Sequence, residues 1–162
     1  MFTVLIADDE ADHRDLLAIA LGRRGYAVVT APDAPGALDA LAKGGIDAAL
    51  LDIRMPGDTG LDLCRRIRSD PTLETLPIMV ISADVHHDRM TAALHAGADD
   101  YLAKPFARDE LMTRLGDLLH RSAAGAIRSA AASRAALAAA RHSLPQPTPV
   151  TRRQEITVRH IA

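Results

Sequence analysis

The chain has 162 residues, with 19 Lys and Arg against 21 Asp and Glu for a net charge of −2, and 48% of it is hydrophobic, enough for one core of ordinary domain size with length to spare. No apolar run approaches the ~18 residues of a membrane-spanning helix, and Asp8, Asp9, Glu10 and Asp12 fall where a secretory leader would still be apolar, so a cytoplasmic protein without a membrane partner is expected. The single cysteine, Cys64, fits a reducing compartment, and four aromatic residues with no Trp argue against a base-stacking nucleic-acid platform.

In chain order, short β-type runs are predicted at 3–7, 26–30, 47–51, 76–81 and 99–102, each followed by helical spacing. The first helix, over 12–24, places Leu16, Leu17, Ala20 and Leu21 on one face and ends at Gly25. A second spans 35–43 before Gly44 and Gly45. The third is capped by the Thr59 hydroxyl, turns Leu61, Leu63, Cys64 and Ile67 inward, and stops at Asp70-Pro71. The fourth, over 85–96, has only Met90, Ala93 and Leu94 as an apolar face, whereas the fifth, over 108–120, carries Leu111, Leu115, Leu118 and Leu119. Consecutive apolar positions such as Ala48-Ala49-Leu50-Leu51 suit a parallel sheet covered on both faces, and five βα units with right-handed crossovers make a doubly wound α/β sandwich. Ligands of such a fold sit beyond the carboxyl ends of the strands.

Those ends carry Asp8 and Asp9 after the first strand, Asp52 after the third, Ser82 after the fourth, and Lys104 with Pro105 after the fifth. Clustered carboxylates repel one another unless a cation joins them, and a hard, oxygen-liganded Mg²⁺ is the natural one. Asp52 is then a candidate carboxylate nucleophile, with Lys104 and Ser82 placed to bind a phosphoryl group. Taken singly, each of these residues is an ordinary turn, cap or loop residue. Their joint occurrence at four strand ends is what points to a site.

These stretches, VLIADDE at 4–10, LLDIRMPGDTGLDLCRRIR at 50–68, VISA at 80–83 and AGADDYLAKPF at 96–106, resemble the receiver domain of two-component response regulators over residues 1–121. The resemblance implies a flavodoxin-like strand order 2-1-3-4-5. It implies that Asp52 accepts a phosphoryl group from a sensor histidine kinase or a phosphotransfer protein. Asp8 and Asp9 would hold Mg²⁺ with Asp52 and the backbone carbonyl of Arg54. Lys104 would pair with the phosphoryl group, next to a cis Lys104–Pro105 bond. Ser82 would be the switch hydroxyl, and Tyr101 the aromatic that turns inward on activation. The readout would be the surface of the fourth helix, fifth strand and fifth helix, which signals to a downstream protein effector or forms a homodimer. Arg54 and Asp84 would flank the route of an attacking water and, being opposite in charge, pair across the site. The chain has Asp58-Thr59-Gly60 where the family usually has Met-Asp-Gly, and Thr59 still supplies the cap oxygen.

Such a protein is no turnover enzyme, beyond Mg²⁺-dependent self-phosphorylation and slow autodephosphorylation. A haloacid-dehalogenase-like phosphatase would need a second Asp two residues after its nucleophile, where this chain has Arg54, and no GxGxxG, Walker loop or GxSxG elbow is present. His86, His87 and Asp88 lack metal-ligand spacing and read as a solvated helix start; Cys64 reads as a core residue, and His95 and His120 as surface groups, as does His13, which lies next to the acidic pocket and has modulation of the site as its alternative reading.

Residues 1–120 carry a net charge of −8 and residues 121–162 a net +6. Beyond the receiver, an Ala-rich helical extension is expected over 122–142 and a disordered, Pro-rich basic tail over 143–162. The stretch from Val150 weakly resembles the opening of a helix-turn-helix output domain. The alternative reading is therefore a DNA-binding transcriptional regulator truncated before its reader.

Overall fold

Alternating apolar runs and helical stretches resolve, in the computed structural model, into five βα units; the structure describes residues 1–84 and 86–123. The strands are β1 Thr3–Ala7, β2 Ala27–Ala31, β3 Ala48–Asp52, β4 Ile78–Ser82 and β5 Asp100–Ala103. The helices are α1 Ala11–Gly22, α2 Ala34–Ala42, α3 Gly60–Ser69, α4 His87–Ala96 and α5 Arg108–Ala123. All strand pairs are parallel, in the order β2-β1-β3-β4-β5. α5 takes in Ser122 and Ala123, the first two residues of the expected extension; the rest of the Ala-rich segment and the 143–162 tail lie outside the described residues. Among the described residues no helix is long and apolar enough to cross a membrane.

Every residue of β3 and β4 is buried, as a strand covered on both faces requires. Side-chain alternation divides the core. Leu5, Ala49, Leu51, Ile78 and Val80 pack with residues of α2, α3 and α4, whereas Val4, Ile6, Leu50, Met79 and Ile81 pack with α1 and α5. The third and fourth strands end one residue later than the periodicity suggests, so Asp52 and Ser82 are their last residues.

α1 is rotated from its expected face. Leu17, Ala20 and Leu21 are buried, but Leu16 is 65% exposed. The stripe facing the sheet is instead 13, 17, 20 and 21, a proper i, i+4, i+7, i+8 set headed by a half-buried histidine.

Two local devices set the entry of α3. Thr59 and Asp62 form a capping box, in which the Asp62 N–H donates to Thr59 Oγ1 at 3.2 Å and the Thr59 N–H donates to Asp62 Oδ2 at 3.1 Å. That backbone bond, followed by the hydroxyl bond, holds the Asp62 carboxyl below its usual range. Gly60 lies so close to β3 that a Cβ there would stand 2.1 Å from the Asp52 carbonyl oxygen, so only glycine lets α3 seat against the end of that strand.

At the other end of the sheet, the Arg68 side chain, 7% exposed, ties α3 to β4 and β5. Its Nε donates to Gly97 O at 2.8 Å, Nη1 to Leu76 O at 2.6 Å, and Nη2 to Asp99 Oδ2 at 2.9 Å. Burial pushes the Asp99 carboxyl up, against the pull of the Ile78 N–H and the Arg68 guanidinium. Arg68→Met leaves that carboxylate buried without its cation and should lower stability in urea unfolding by about 3–5 kcal/mol, with Asp99→Asn on the same chain restoring part of the loss. A loss below about 1 kcal/mol, the range of an exposed pair, would show that the pair ties nothing.

Candidate functional site

The strand order places β1 beside β3, with crossovers leaving on opposite faces, which is the switch point where doubly wound sheets bind ligands. Asp8 directly follows β1 and Asp52 ends β3. Asp8, Asp52 and Ser82 are the polar or charged residues buried as whole residues, backbone included, among the described residues, at 2%, 7% and 1% exposure. Burial thus singles out these strand ends independently of any motif.

Lys104, from the loop after β5, reaches across to both carboxylates. Its backbone N–H donates to the Ser82 carbonyl at 2.7 Å, which holds the loop against β4. Its Nζ donates to Asp52 Oδ2 at 2.6 Å and lies 3.8 Å from Asp8 Oδ2. The following peptide bond, Lys104–Pro105, is cis. The other Asp52 oxygen, Oδ1, accepts from the Arg54 N–H at 2.9 Å, and Asp8 Oδ1 accepts from the Glu10 N–H at 2.9 Å. Arg14 Nη1 donates to the Asp8 carbonyl at 2.7 Å.

The structure does not gather all the predicted acidic residues. Asp9 is exposed and, with Arg54, Thr59, Ser82, Asp84 and Arg89, lines a neighbouring cleft of about 480 Å³. His13 takes the third place beside Asp8 and Asp52: its Nδ1 hydrogen-bonds Asp8 Oδ2, and the ligating atoms of Asp8, His13 and Asp52 lie within 4.8 Å of one another. The surface role preferred for His13 is therefore wrong, and of its two readings the one beside the acidic pocket is where the structure puts it. The signal that could have found it is the 13, 17, 20, 21 spacing, which turns position 13 inward once Leu16 is left outside.

Asp84 also differs from expectation. Its carboxylate pairs with Arg89 at 3.4 Å and accepts from the His86 N–H at 3.0 Å, and no Arg54–Asp84 pair occurs among the described residues. Arg89 lies on the first turn of α4, nearer in chain and space than Arg54. The Asp84 N–H donates to Ser82 Oγ at 3.1 Å, and the Tyr101 hydroxyl donates to the Asp84 carbonyl. Tyr101 already lies inside, 6% exposed, where the sequence reading expected it only after activation. A carbonyl acceptor and the small side chains of Ala93 and Ala96 in the same core make room for it.

Residues away from the site do other work. Asp58, the departure from the family pattern, pairs with Arg66 at 2.8 Å. Cys64 is buried, its Sγ bonded to the Ala96 carbonyl at 3.4 Å, and burial pushes its thiol up to about 11, so it is no nucleophile. His86 and His87 open α4, exposed.

Two buried carboxylates share one ammonium, and a third opens onto the adjoining cleft. That donor set is oxygen-rich, anionic and reached by solvent, which fits a hard divalent cation.

The family model for the response regulator receiver domain matches residues 4–116. Response regulator MprA of Mycobacterium sp. (strain KMS) is 44% identical over 119 residues, covering 74% of this chain and 51% of its own. The chain thus spans about half the length of the curated relatives it matches. Among solved structures, response regulator TrrA of Thermotoga maritima, determined with Mg²⁺ and BeF, has a TM-score of 0.66 at 34% identity, covering 73% of this chain and 99% of that one. The receiver domain of Francisella response regulator 1452 has a TM-score of 0.71 at 29% identity, covering 75% and 99%. With a parallel sheet of the same order, paired carboxylates at the switch point and a lysine reaching over from the last strand, the chain belongs to the response regulator receiver domain family.

Proposed function

We propose that this chain is a phosphorylation-dependent switch that takes a phosphoryl group onto Asp52 from the phosphohistidine of a sensor kinase or phosphotransfer protein in the cytoplasm. The observation that carries the reading is the Lys104 ammonium 2.6 Å from a buried Asp52 carboxylate, with Asp8 beside both. An Asp52 oxygen attacks phosphorus, the N–P bond breaks, and the imidazole leaves with the electron pair, giving an acyl phosphate. Asp8, Asp9, Asp52 and the Arg54 carbonyl would hold Mg²⁺, which when bound supplies positive charge against the phosphoryl oxygens. That TrrA was solved with Mg²⁺ and BeF supports this ion. Lys104 then exchanges a carboxylate oxygen for a phosphoryl oxygen without leaving the pocket.

The new group adds about −1.5 to −2 of charge and acceptor oxygens within the site. Ser82 answers it by giving up the Asp84 N–H for a phosphoryl oxygen. Because the Asp84 carbonyl holds the Tyr101 hydroxyl, the change passes along one loop to β5. The output face is that of α4, β5 and α5, which would meet a protein effector or a second copy of the chain. A DNA-binding output carried beyond residue 162 is the second reading, favoured by relatives about twice as long as the matched region.

With a small phosphodonor and Mg²⁺, wild type should gain an acid-stable, base-labile phosphate that Asp52→Asn lacks; equal labelling of both would move the acceptor elsewhere. Ser82→Ala should still be labelled but lose most of the backbone NMR shift change over α4, β5 and α5, and an unaltered pattern would remove Ser82 from the relay. Arg54 lines the cleft, so Arg54→Ala should admit water and shorten the acyl-phosphate half-life about threefold, equivalent to ~0.7 kcal/mol of barrier. Unchanged decay would count against that role.

A further inference from the structure

His13 offers a ring nitrogen that oxygen-based Mg²⁺ chemistry does not need. Its imidazole joins two carboxylates whose side chains are 3% and 8% exposed, with the three ligating atoms within 4.8 Å of one another. The ring is also oriented by packing: it stands edge-on to Phe106, with centroids 6.2 Å apart and planes at 68°. Phe106 follows the Lys104–Pro105 turn, so the segment that brings the lysine also steadies the histidine. A ring held in place loses little freedom when it takes a ligand.

Ion preference follows from the donors. Mg²⁺ favours octahedral oxygen coordination and keeps much of its water, whereas Co²⁺, Ni²⁺ and Zn²⁺ bind imidazole nitrogen well alongside carboxylate oxygen. The expected Mg²⁺ ligands Asp9 and the Arg54 backbone lie toward the neighbouring cleft, while His13 lies on the Lys104 side. Lys104 Nζ sits against the same carboxylates, 2.6 Å from Asp52 Oδ2 and 3.8 Å from Asp8 Oδ2. A divalent ion bound by the two aspartates and the histidine would therefore compete with that ammonium.

We propose that Asp8, His13 and Asp52 form a cation site that prefers imidazole-accepting divalent ions over Mg²⁺, and that an ion held there displaces Lys104 from Asp52 and blocks phosphoryl acceptance. The blocking half rests on the acceptor role proposed for Asp52; the site itself does not.

The test uses the whole chain and Co²⁺ as probe. Calorimetric titration should give a ratio of Co²⁺ to Mg²⁺ affinity at least tenfold lower in His13→Leu than in wild type. His13→Gln, which keeps a hydrogen-bonding side chain near Asp8, should behave as His13→Leu does and guards against a folding defect in either variant. Proton NMR of the Co²⁺ form should show a hyperfine-shifted, exchangeable imidazole N–H that both variants lack. An unchanged ratio, or a shifted signal that persists without His13, overturns the site. Saturating Zn²⁺ should slow labelling of wild type by a small phosphodonor at least tenfold, and undiminished labelling overturns the blocking role. Wild type that takes no label under Mg²⁺ alone would sink the acceptor reading, while the Co²⁺ data would still judge the site.

Discussion

Everything at the functional end of this molecule depends on the ion pair between Lys104 and Asp52. Neighbouring strands lie ~4.8 Å apart, so a carboxylate at the end of β1 and another at the end of β3 are forced together. Two such charges ~5 Å apart repel by about 3 kcal/mol even at an effective dielectric of 20. The ammonium that offsets this comes from beyond β4, on the loop after β5, and is held by its own backbone bond to Ser82. One lysine between two buried carboxylates leaves the pocket with negative charge to spare. On the proposed function, that surplus would make the pocket receptive to a cation and, with the cation in place, to a phosphoryl group. The fold supplies the crowding, and the chemistry follows from it.

The same loop geometry ties the site to the surface that would be read. Ser82, Asp84 and Tyr101 form a continuous series of hydrogen bonds from the end of β4 to the middle of β5. Only Ala93 and Ala96 of α4 are buried, and Met90 is partly in solvent. Small buried area means that modest changes in the loop beneath it are large relative to what holds the helix. A buried central sheet and a lightly packed fourth helix are complementary: one fixes the charge, and on the proposed function the other would respond to it.

Most of this was legible from the sequence because its signals are local. A run of apolar residues followed at once by Asp, Ser or Lys marks a strand end, and Thr59 marks a helix start. The features that escaped are those decided by rotation or by distant pairing. Leu16 fits an apolar face as well as Leu17 does until the helix is seen to turn His13 inward, and one residue of rotation separates a surface histidine from a member of the acidic pocket. Asp84 had two arginines of equal sign to choose from, and the start of α4 decided for Arg89. The Arg68–Asp99 tie joins residues 31 apart in the chain, with no periodicity to announce it.

That tie has a mechanical meaning. Arg68 grips the Gly97 carbonyl where α4 ends, at φ 104°, and approaches so closely that a Cβ on Gly97 would stand 2.6 Å from its Cγ. The start of α4, by contrast, has an exposed His86 whose side chain makes no capping bond. One end of the helix is riveted through Arg68, while the other is tied to the β4–α4 loop itself, through Asp84 to Arg89 and to the His86 N–H. Under the proposed switch, a displacement of the β4–α4 loop would therefore reach α4 at the end away from Gly97 and tilt the helix about it.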